Sequence, residues 1–167
     1  MAYPSEIPEN CSLIDRWRSC SYRDCFSERY AVKSDETAAV LFARVMKNEP
    51  WWIRGLMAVR NSVVRIFGLK SETPNADFSE ESVRSYKPGD YIGFFLIERD
   101  GPEELVVSTN DRHLDAYFSF QIGSSRQEVT LTSTVTTKER FGKLYIFVIA
   151  PFHRAIVKYL LSRLTRS

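Results

Sequence analysis

The most regular apolar pattern in the chain lies at its C-terminal end. Apolar residues recur there every three or four positions, with basic residues between them, which is the spacing of one helical face: Phe141, Tyr145, Ile149, Phe152, Ile156, Leu160 and Leu164. Residues 144–149 also have the composition of a strand, but their apolar positions stay in phase with those that follow. The pattern therefore predicts one long helix, kinked at Pro151, in preference to two helices divided there.

Alternating apolar and polar residues predict five strands before that helix. They cover residues 21–32, 91–98, 104–109, 113–122 and 129–137, and the last four are separated by short turn sequences. The alternation predicts that Phe118 and Phe120 face inward. It also predicts an outward row of threonines, namely Thr130, Thr132, Thr134 and Thr136. The segment 91–98 is apolar on both faces, so we expect both of its sides to be covered.

Two helices are predicted between the first and second strands. Ser34 is a suitable N-cap for a helix that runs to about Lys47, and Pro50 is suited to the first turn of a second helix that ends at Gly68. The second helix is basic and contains two tryptophans, which is compatible with a membrane surface, but we favour a helix that faces the core. Residues 1–20 are predicted to form an irregular arm with one helical turn near 13–18. Residues 70–89 form a long polar loop, of a length typical of functional loops.

Composition narrows the class of protein. A length of 167 residues predicts a single domain over 1–167, and an aromatic content of 13% favours a bulky core or an aromatic-lined pocket. The net charge of +2 argues against binding nucleic acid through bulk charge. Three cysteines without Cys-x-x-Cys spacing fit neither a disulfide framework nor a zinc site, so we expect reduced thiols in a cytoplasmic protein. The first residues do not have the pattern of a signal peptide, and the longest apolar run is too short to span a membrane.

The order of the predicted elements resembles the helix-grip fold of the START and SRPBCC-like superfamily. Four local patterns resemble, more specifically, those of an uncharacterised bacterial family of unknown function, and they cover most of the chain from about Tyr22: Pro50-Trp51 leading to Val59-Arg60-Asn61 and Phe67-Gly68-Leu69; Ile92-Gly93-Phe94-Phe95; Asp111-Arg112-His113-Leu114-Asp115; and Gly142-Lys143-Leu144-Tyr145 leading to Pro151-Phe152-His153. The resemblance implies an α+β fold in which a curved antiparallel sheet wraps around a long C-terminal helix. It also implies a cavity for apolar molecules under that helix, while some members of the superfamily are cyclases or hydrolases.

We therefore expect a non-catalytic protein that binds a small hydrophobic or amphipathic molecule, without a cofactor. The predicted ligand-binding residues combine inward aromatic residues with one arginine: Phe94, Phe118, Phe120, Tyr145, Phe152 and Arg60. The forked donors of the Arg60 guanidinium suit a carboxylate on the ligand, whereas an ion pair with Asp111 or Asp115 is its plainer use. A ligand-free interaction module, which pairs through the Trp51–Trp52 helix or a sheet edge, remains an alternative.

The two histidines are weak candidates for acid–base catalysis. His113 has carboxylates on either side, but its sequence is also that of a hairpin turn, and we favour the turn. His153 lies at the border of the apolar stripe of the C-terminal helix. There it is suited either to orienting the polar end of a ligand or to a bond with the backbone. Neither histidine has the spacing of a metal site, and phosphate-binding and esterase motifs are absent from the sequence. An enzyme of the cyclase or hydrolase type is thus the alternative and not the first choice.

Overall fold

Seven antiparallel strands form one sheet in the computed structural model, which describes residues 1–47, 50, 52–53, 55, 78–110, 114–138 and 140–166. Their order across the sheet is β1-β2-β7-β6-β5-β4-β3, so the first long strand pairs with the last one and the others follow as a meander. The strands are β1 (Tyr3–Pro4), β2 (Tyr22–Arg29), β3 (Tyr91–Ile92), β4 (Phe95–Asp100), β5 (Glu104–Asn110), β6 (Leu114–Ile122) and β7 (Glu128–Thr137).

Two of the described helices cover one face of this sheet, which we call the inner face. The helices are α1 (Ile14–Ser19), α2 (Ala38–Met46), α3 (Glu80–Ser85) and α4 (Arg140–Ser162). Helix α2 lies over β5 and β6, and helix α4 lies over β2 and β7. Phe26, Phe120 and Leu131 from the sheet pack with Phe42 and Leu161 from these helices in one core. The predicted α+β fold, with an antiparallel sheet and a long C-terminal helix, is confirmed.

Helix α4 runs through Pro151 without a break, which confirms a helix over residues 144–149. Its inward stripe is shifted from the predicted one, because Phe152 is 46% exposed while His153 turns toward the sheet. In the second half of α4, adjacent pairs such as Leu160 and Leu161 are both buried. A helix turns by about 100° per residue, so the centre of the buried stripe falls between such neighbours and not on a single row.

The strand predicted over residues 91–98 is divided into β3 and β4. Gly93 has a φ of +62°, a left-handed conformation that glycine adopts readily, and the chain turns there. We expected both sides of this segment to be covered, but Tyr91 is 63% exposed, so the cover at this edge of the sheet is incomplete. The division of 91–98, together with the two-residue strand β1, accounts for seven strands where the sequence indicated five.

The first predicted helix begins three residues later than expected. Its N-cap is Thr37, whose Oγ1 accepts a hydrogen bond from the backbone N–H of Val40, and not Ser34. Glu36 lies before the helix and is buried there, where it accepts a 2.6 Å hydrogen bond from Arg44. This tertiary ion pair overrides the local start signal at Ser34.

The connection between α2 and β3 contains helical residues. Helix α3 lies within residues 70–89, which were expected to be irregular, and its N-cap Ser79 accepts a bond from the N–H of Ser82. Trp52, Ile53 and Gly55 are helical, in agreement with the second predicted helix, and most of that helix lies outside the described residues.

Beyond the edge strand β1, the N-terminal arm covers the opposite face of the sheet, which we call the outer face. Cys11 and Leu13 pack against Val106 of β5, and helix α1 confirms the predicted helical turn. The backbone N–H and the hydroxyl of Ser12 both donate to the buried carboxylate of Glu104. Most of the predicted outward threonines do lie on this face but are buried there, namely Thr130, Thr132 and Thr134.

Candidate functional site

The inner face is closed at one end and half-open at the other. On β6, Ile122 and Phe120 are fully buried, whereas Phe118 and Leu114 are half-buried, with only the small Ala116 buried between them. The same change occurs on the neighbouring elements. On β7, Leu131 is buried and Val135 is half-buried. On β2, Phe26 is buried and Tyr22 is half-buried, and on α4, Leu161 is buried and Ile149 is half-buried. Toward the end of the sheet where α4 begins, the described inward side chains are therefore partly exposed to solvent.

A cluster of polar side chains lies at the boundary between these two ends. Asp24 of β2 and Ser133 of β7 are directly paired across the two strands, and His153 of α4 lies over both. His153 Nε2 is 3.0 Å from Ser133 Oγ and 3.5 Å from Asp24 Oδ1. Tyr22 Oη donates a 2.5 Å hydrogen bond to Asp24 Oδ2. Because alternate residues of a strand share a face, Tyr22 and Asp24 point inward together with Phe26.

The environment keeps the Asp24 carboxylate ionised. Its burial alone raises the pKa, but the nearby imidazole of His153, followed by the hydrogen bond from Tyr22 and the proximity of Ser133, outweighs that effect. The pKa of Asp24 consequently lies below its ordinary value. Burial and the bond to Asp24 raise the pKa of Tyr22, so its phenol remains a proton donor.

One oxygen of this carboxylate lacks a hydrogen bond. Oδ1 of Asp24 is buried and receives no hydrogen bond from any described residue, although His153 Nε2 is 3.5 Å away. His153 Nε2 lies closer to Ser133 Oγ, at 3.0 Å, than to this oxygen. An unsatisfied buried acceptor costs about 1–3 kcal/mol, so the polar cluster is not an optimal arrangement for stability alone.

Aromatic side chains form an apolar wall beside the polar cluster. The Phe118 ring lies 5.8 Å from the His153 ring and 5.7 Å from the Phe95 ring, measured between centroids. Phe94 lies 4.2 Å from Phe95, and Phe95 in turn contacts Phe42 of α2 at 6.1 Å. The half-open end thus places a polar group and a half-buried aromatic surface next to each other, as sites for amphipathic molecules do.

The predicted ligand-binding residues fall in different places. Phe94 and Phe118 lie half-buried at the open end, whereas Phe120 is fully buried in the closed core against Phe42. Phe152 lies on the outward side of α4. Arg60 and the side chain of Tyr145 lie outside the described residues.

Of the two predicted histidines, His153 is part of the cluster and His113 lies outside the described residues. Asp24 and Ser133 were not predicted as site residues. The sequence does contain a signal for Ser133, because it is a polar residue at an inward position between Leu131 and Val135. The signal for Asp24 is weaker, because its inward row also contains the polar Glu28. Within the described ranges, no group of three His, Cys, Asp or Glu side chains is arranged to hold a metal ion.

The sequence also suggested interactions with a partner chain or a membrane, through the two tryptophans or a sheet edge. Trp52 is half-buried, with its ring 5.1 Å from that of Tyr159, and Trp51 lies outside the described residues. The two edge strands of the sheet, β1 and β3, have two residues each. No helix in the described part of the chain has the length and hydropathy needed to cross a membrane. The interaction-module alternative stays a prediction.

Comparison with known proteins identifies one family model. The model described as protein of unknown function (DUF2867) matches residues 16–160, a range that includes Asp24, Ser133 and His153. No curated protein and no solved structure matches the chain.

Proposed function

The chain belongs to the DUF2867 family, whose function is unknown, and we propose that it binds a small hydrophobic or amphipathic molecule between the sheet and α4. One observation carries the proposal: a buried polar cluster lies beside half-buried aromatic side chains, at the point where the described side chains of the inner face become partly exposed. Buried polar groups reduce stability unless they are fully hydrogen-bonded, and Asp24 is not. In the proposed complex, Asp24, Ser133 and His153 bind the polar end of the ligand and Phe118 contacts its apolar body.

We also propose that the fold is the helix-grip fold of the START and SRPBCC-like superfamily. The order of elements supports this assignment, since one long strand, helices, an antiparallel meander and a long C-terminal helix follow one another. The position of α4 on the inner face supports it further. In this fold the space beneath the C-terminal helix is the ligand site, which is where the polar cluster lies.

Two phenylalanines provide a matched test of the site. We expect native mass spectrometry and thermal-shift screening of lipids and polyketide-like compounds to identify a ligand. The variant Phe118→Ala should weaken its binding about ten-fold, because a half-buried aromatic contact of roughly 1.4 kcal/mol is lost. The control Phe152→Ala, on the outward side of α4, should change the affinity by less than about two-fold. Equal losses in both variants, or no ligand from either screen, would contradict the proposal.

Acid–base catalysis is the second candidate function, and the contact between His153 and Asp24 favours it. A carboxylate next to a histidine is the usual setting of a general acid or base. Ser133 is not arranged as an activated nucleophile, because it and Asp24 both lie near Nε2, whereas a Ser–His–Asp relay uses a different ring nitrogen for each partner. Incubation with the identified ligand separates the two functions. Turnover that is lost in His153→Gln while binding persists indicates an enzyme, and unchanged ligand recovered by mass spectrometry indicates a binding protein.

A further inference from the structure

The Asp24 carboxylate is a buried acidic group on the inner face, beside His153 and Ser133. Its residue is only 7% exposed, and its two oxygens have different surroundings. Oδ2 accepts the hydrogen bond from Tyr22, while Oδ1 has no donor among the described residues. His153 does not fill this position, since its Nε2 is closer to Ser133 Oγ, at 3.0 Å, than to Oδ1, at 3.5 Å.

An ionised carboxylate restricts which ligand groups can form a hydrogen bond with Oδ1. It has only acceptor atoms, so a ligand group must donate a proton to form a hydrogen bond with it. A ketone or ether oxygen would place one acceptor against another, and a second carboxylate would add repulsion between like charges in a site of reduced dielectric. A hydroxyl or a protonated amine satisfies the oxygen, and the amine also forms a charge-assisted bond.

On the basis of the binding function proposed above, we infer that the ligand has a hydrogen-bond donor, either a hydroxyl or a protonated amine, at its polar end, and that this donor binds Asp24 Oδ1. Its apolar body then extends along Phe118 toward Phe95 and Phe94, which follow one another at ring distances of 5.7 and 4.2 Å. The inference thus defines a ligand class: an aliphatic or aromatic alcohol or amine.

The other charged and titratable groups around Asp24 show where an anionic ligand, the competing possibility, would bind. Tyr22 belongs to the same strand and His153 to the helix above it. Arg154 is the next residue of that helix, and its Nε donates to Tyr22 Oη at 3.3 Å. Arg154 is exposed and contacts Tyr22 rather than Asp24. An anionic ligand would therefore bind at the rim near Arg154 and would not use Asp24.

A series of compounds with the same chain and different polar ends tests the inference. The probes are decanol, decylamine, decyl methyl ether and decanoate, together with their hexyl counterparts, all below their micelle-forming concentrations. Isothermal titration calorimetry should show that the alcohol or the amine binds the wild-type protein at least about ten-fold tighter than the ether and the carboxylate. In Asp24→Asn, which removes the charge but retains the shape, the amine should lose about ten-fold in affinity. Phe118→Leu should weaken all four compounds to a similar extent.

The outcomes separate this inference from the function on which it rests. If the ether or the carboxylate binds as tightly as the alcohol and the amine, the donor inference is wrong and the binding function stands. If no compound of either chain length binds, the binding function fails, and the inference fails with it. The wild-type series decides the question by itself if Asp24→Asn does not fold, as checked by circular dichroism.

Discussion

Phe118 and Phe120 provide a direct test of whether the inner face is open at one end. They are the same residue type on the same strand, two positions apart, and they face the same side. Phe120 is 2% exposed and its ring lies 5.9 Å from that of Phe42, whereas Phe118 is half-buried with its ring 5.7 Å from that of Phe95. Each ring has an edge-to-face contact with another phenylalanine, so a comparison of the two alanine variants mainly reports the difference in burial.

The expected free energies follow from that difference. Phe→Ala in a closed core costs about 3–5 kcal/mol, because the transfer energy of the ring is lost and a cavity remains. This range applies to Phe120→Ala. Phe118 already has one side toward solvent, so its removal loses only part of the transfer energy and leaves space that is open to water, at a cost of about 1–2 kcal/mol. The two variants should therefore differ by about 1–4 kcal/mol.

Urea unfolding followed by circular dichroism measures this difference. With a slope of about 2 kcal/mol per M of urea, the midpoint should fall by about 1.5–2.5 M for Phe120→Ala and by about 0.5–1 M for Phe118→Ala. Unchanged slopes would show that the unfolded states are comparable. Equal costs for the two variants would mean that the end near Phe118 is packed as tightly as the other, and the binding proposal would lose its structural basis. If Phe120→Ala does not fold, the two Phe→Leu variants provide the same comparison.

The remaining predictions concern the pH dependence of Asp24 and the attachment of the N-terminal arm. Since the pKa of Asp24 is lowered in the folded state, its contribution to stability is present above its unfolded pKa of about 3.9 and is lost as the pH falls through the folded value. Urea titrations between pH 7 and pH 3 should therefore show a smaller loss of stability at acid pH in Asp24→Asn than in the wild type, and parallel curves would contradict the assignment. Glu104→Ala removes the acceptor for Ser12 and Ser119 and should cost about 1–3 kcal/mol, with faster hydrogen exchange in residues 11–14. Unchanged exchange there would show that Glu104 does not hold the arm.

The sequence predicted those elements whose patterns are strict and long. The period of two over residues 113–122 correctly placed Phe118 and Phe120 on the inner face, since a shift by one residue would expose the whole apolar row. The three- and four-residue spacing correctly predicted a helix through Pro151. The start of α2 could not be found in this way, because Ser34 and Thr37 are both good N-caps and the ion pair between Glu36 and Arg44 decides between them.

The candidate site was less accessible to prediction because it depends on sheet order. His153 was recognised from its position on the helix, but Asp24 and Ser133 become its neighbours only when β2 pairs with β7, which are far apart in the chain. No local pattern specifies that pairing. The available signal was a polar residue at an inward position of a strand. Such a residue reduces stability, and natural proteins accept that cost mainly at functional sites.

The closed and half-open ends of the inner face have complementary roles. Leu131 and Leu161 pack in the closed end with Phe120, and this fully buried core accounts for much of the apolar burial between the sheet and the helices. That reserve of stability permits a buried, incompletely hydrogen-bonded carboxylate, which alone costs about 1–3 kcal/mol out of a typical total of about 5–15 kcal/mol. If stability were the only requirement, an apolar residue at position 24 would pack between Phe26 and Ser133 without that loss. We therefore infer that Asp24 contributes to binding a ligand, which supplies the missing hydrogen bond and with it the lost stability.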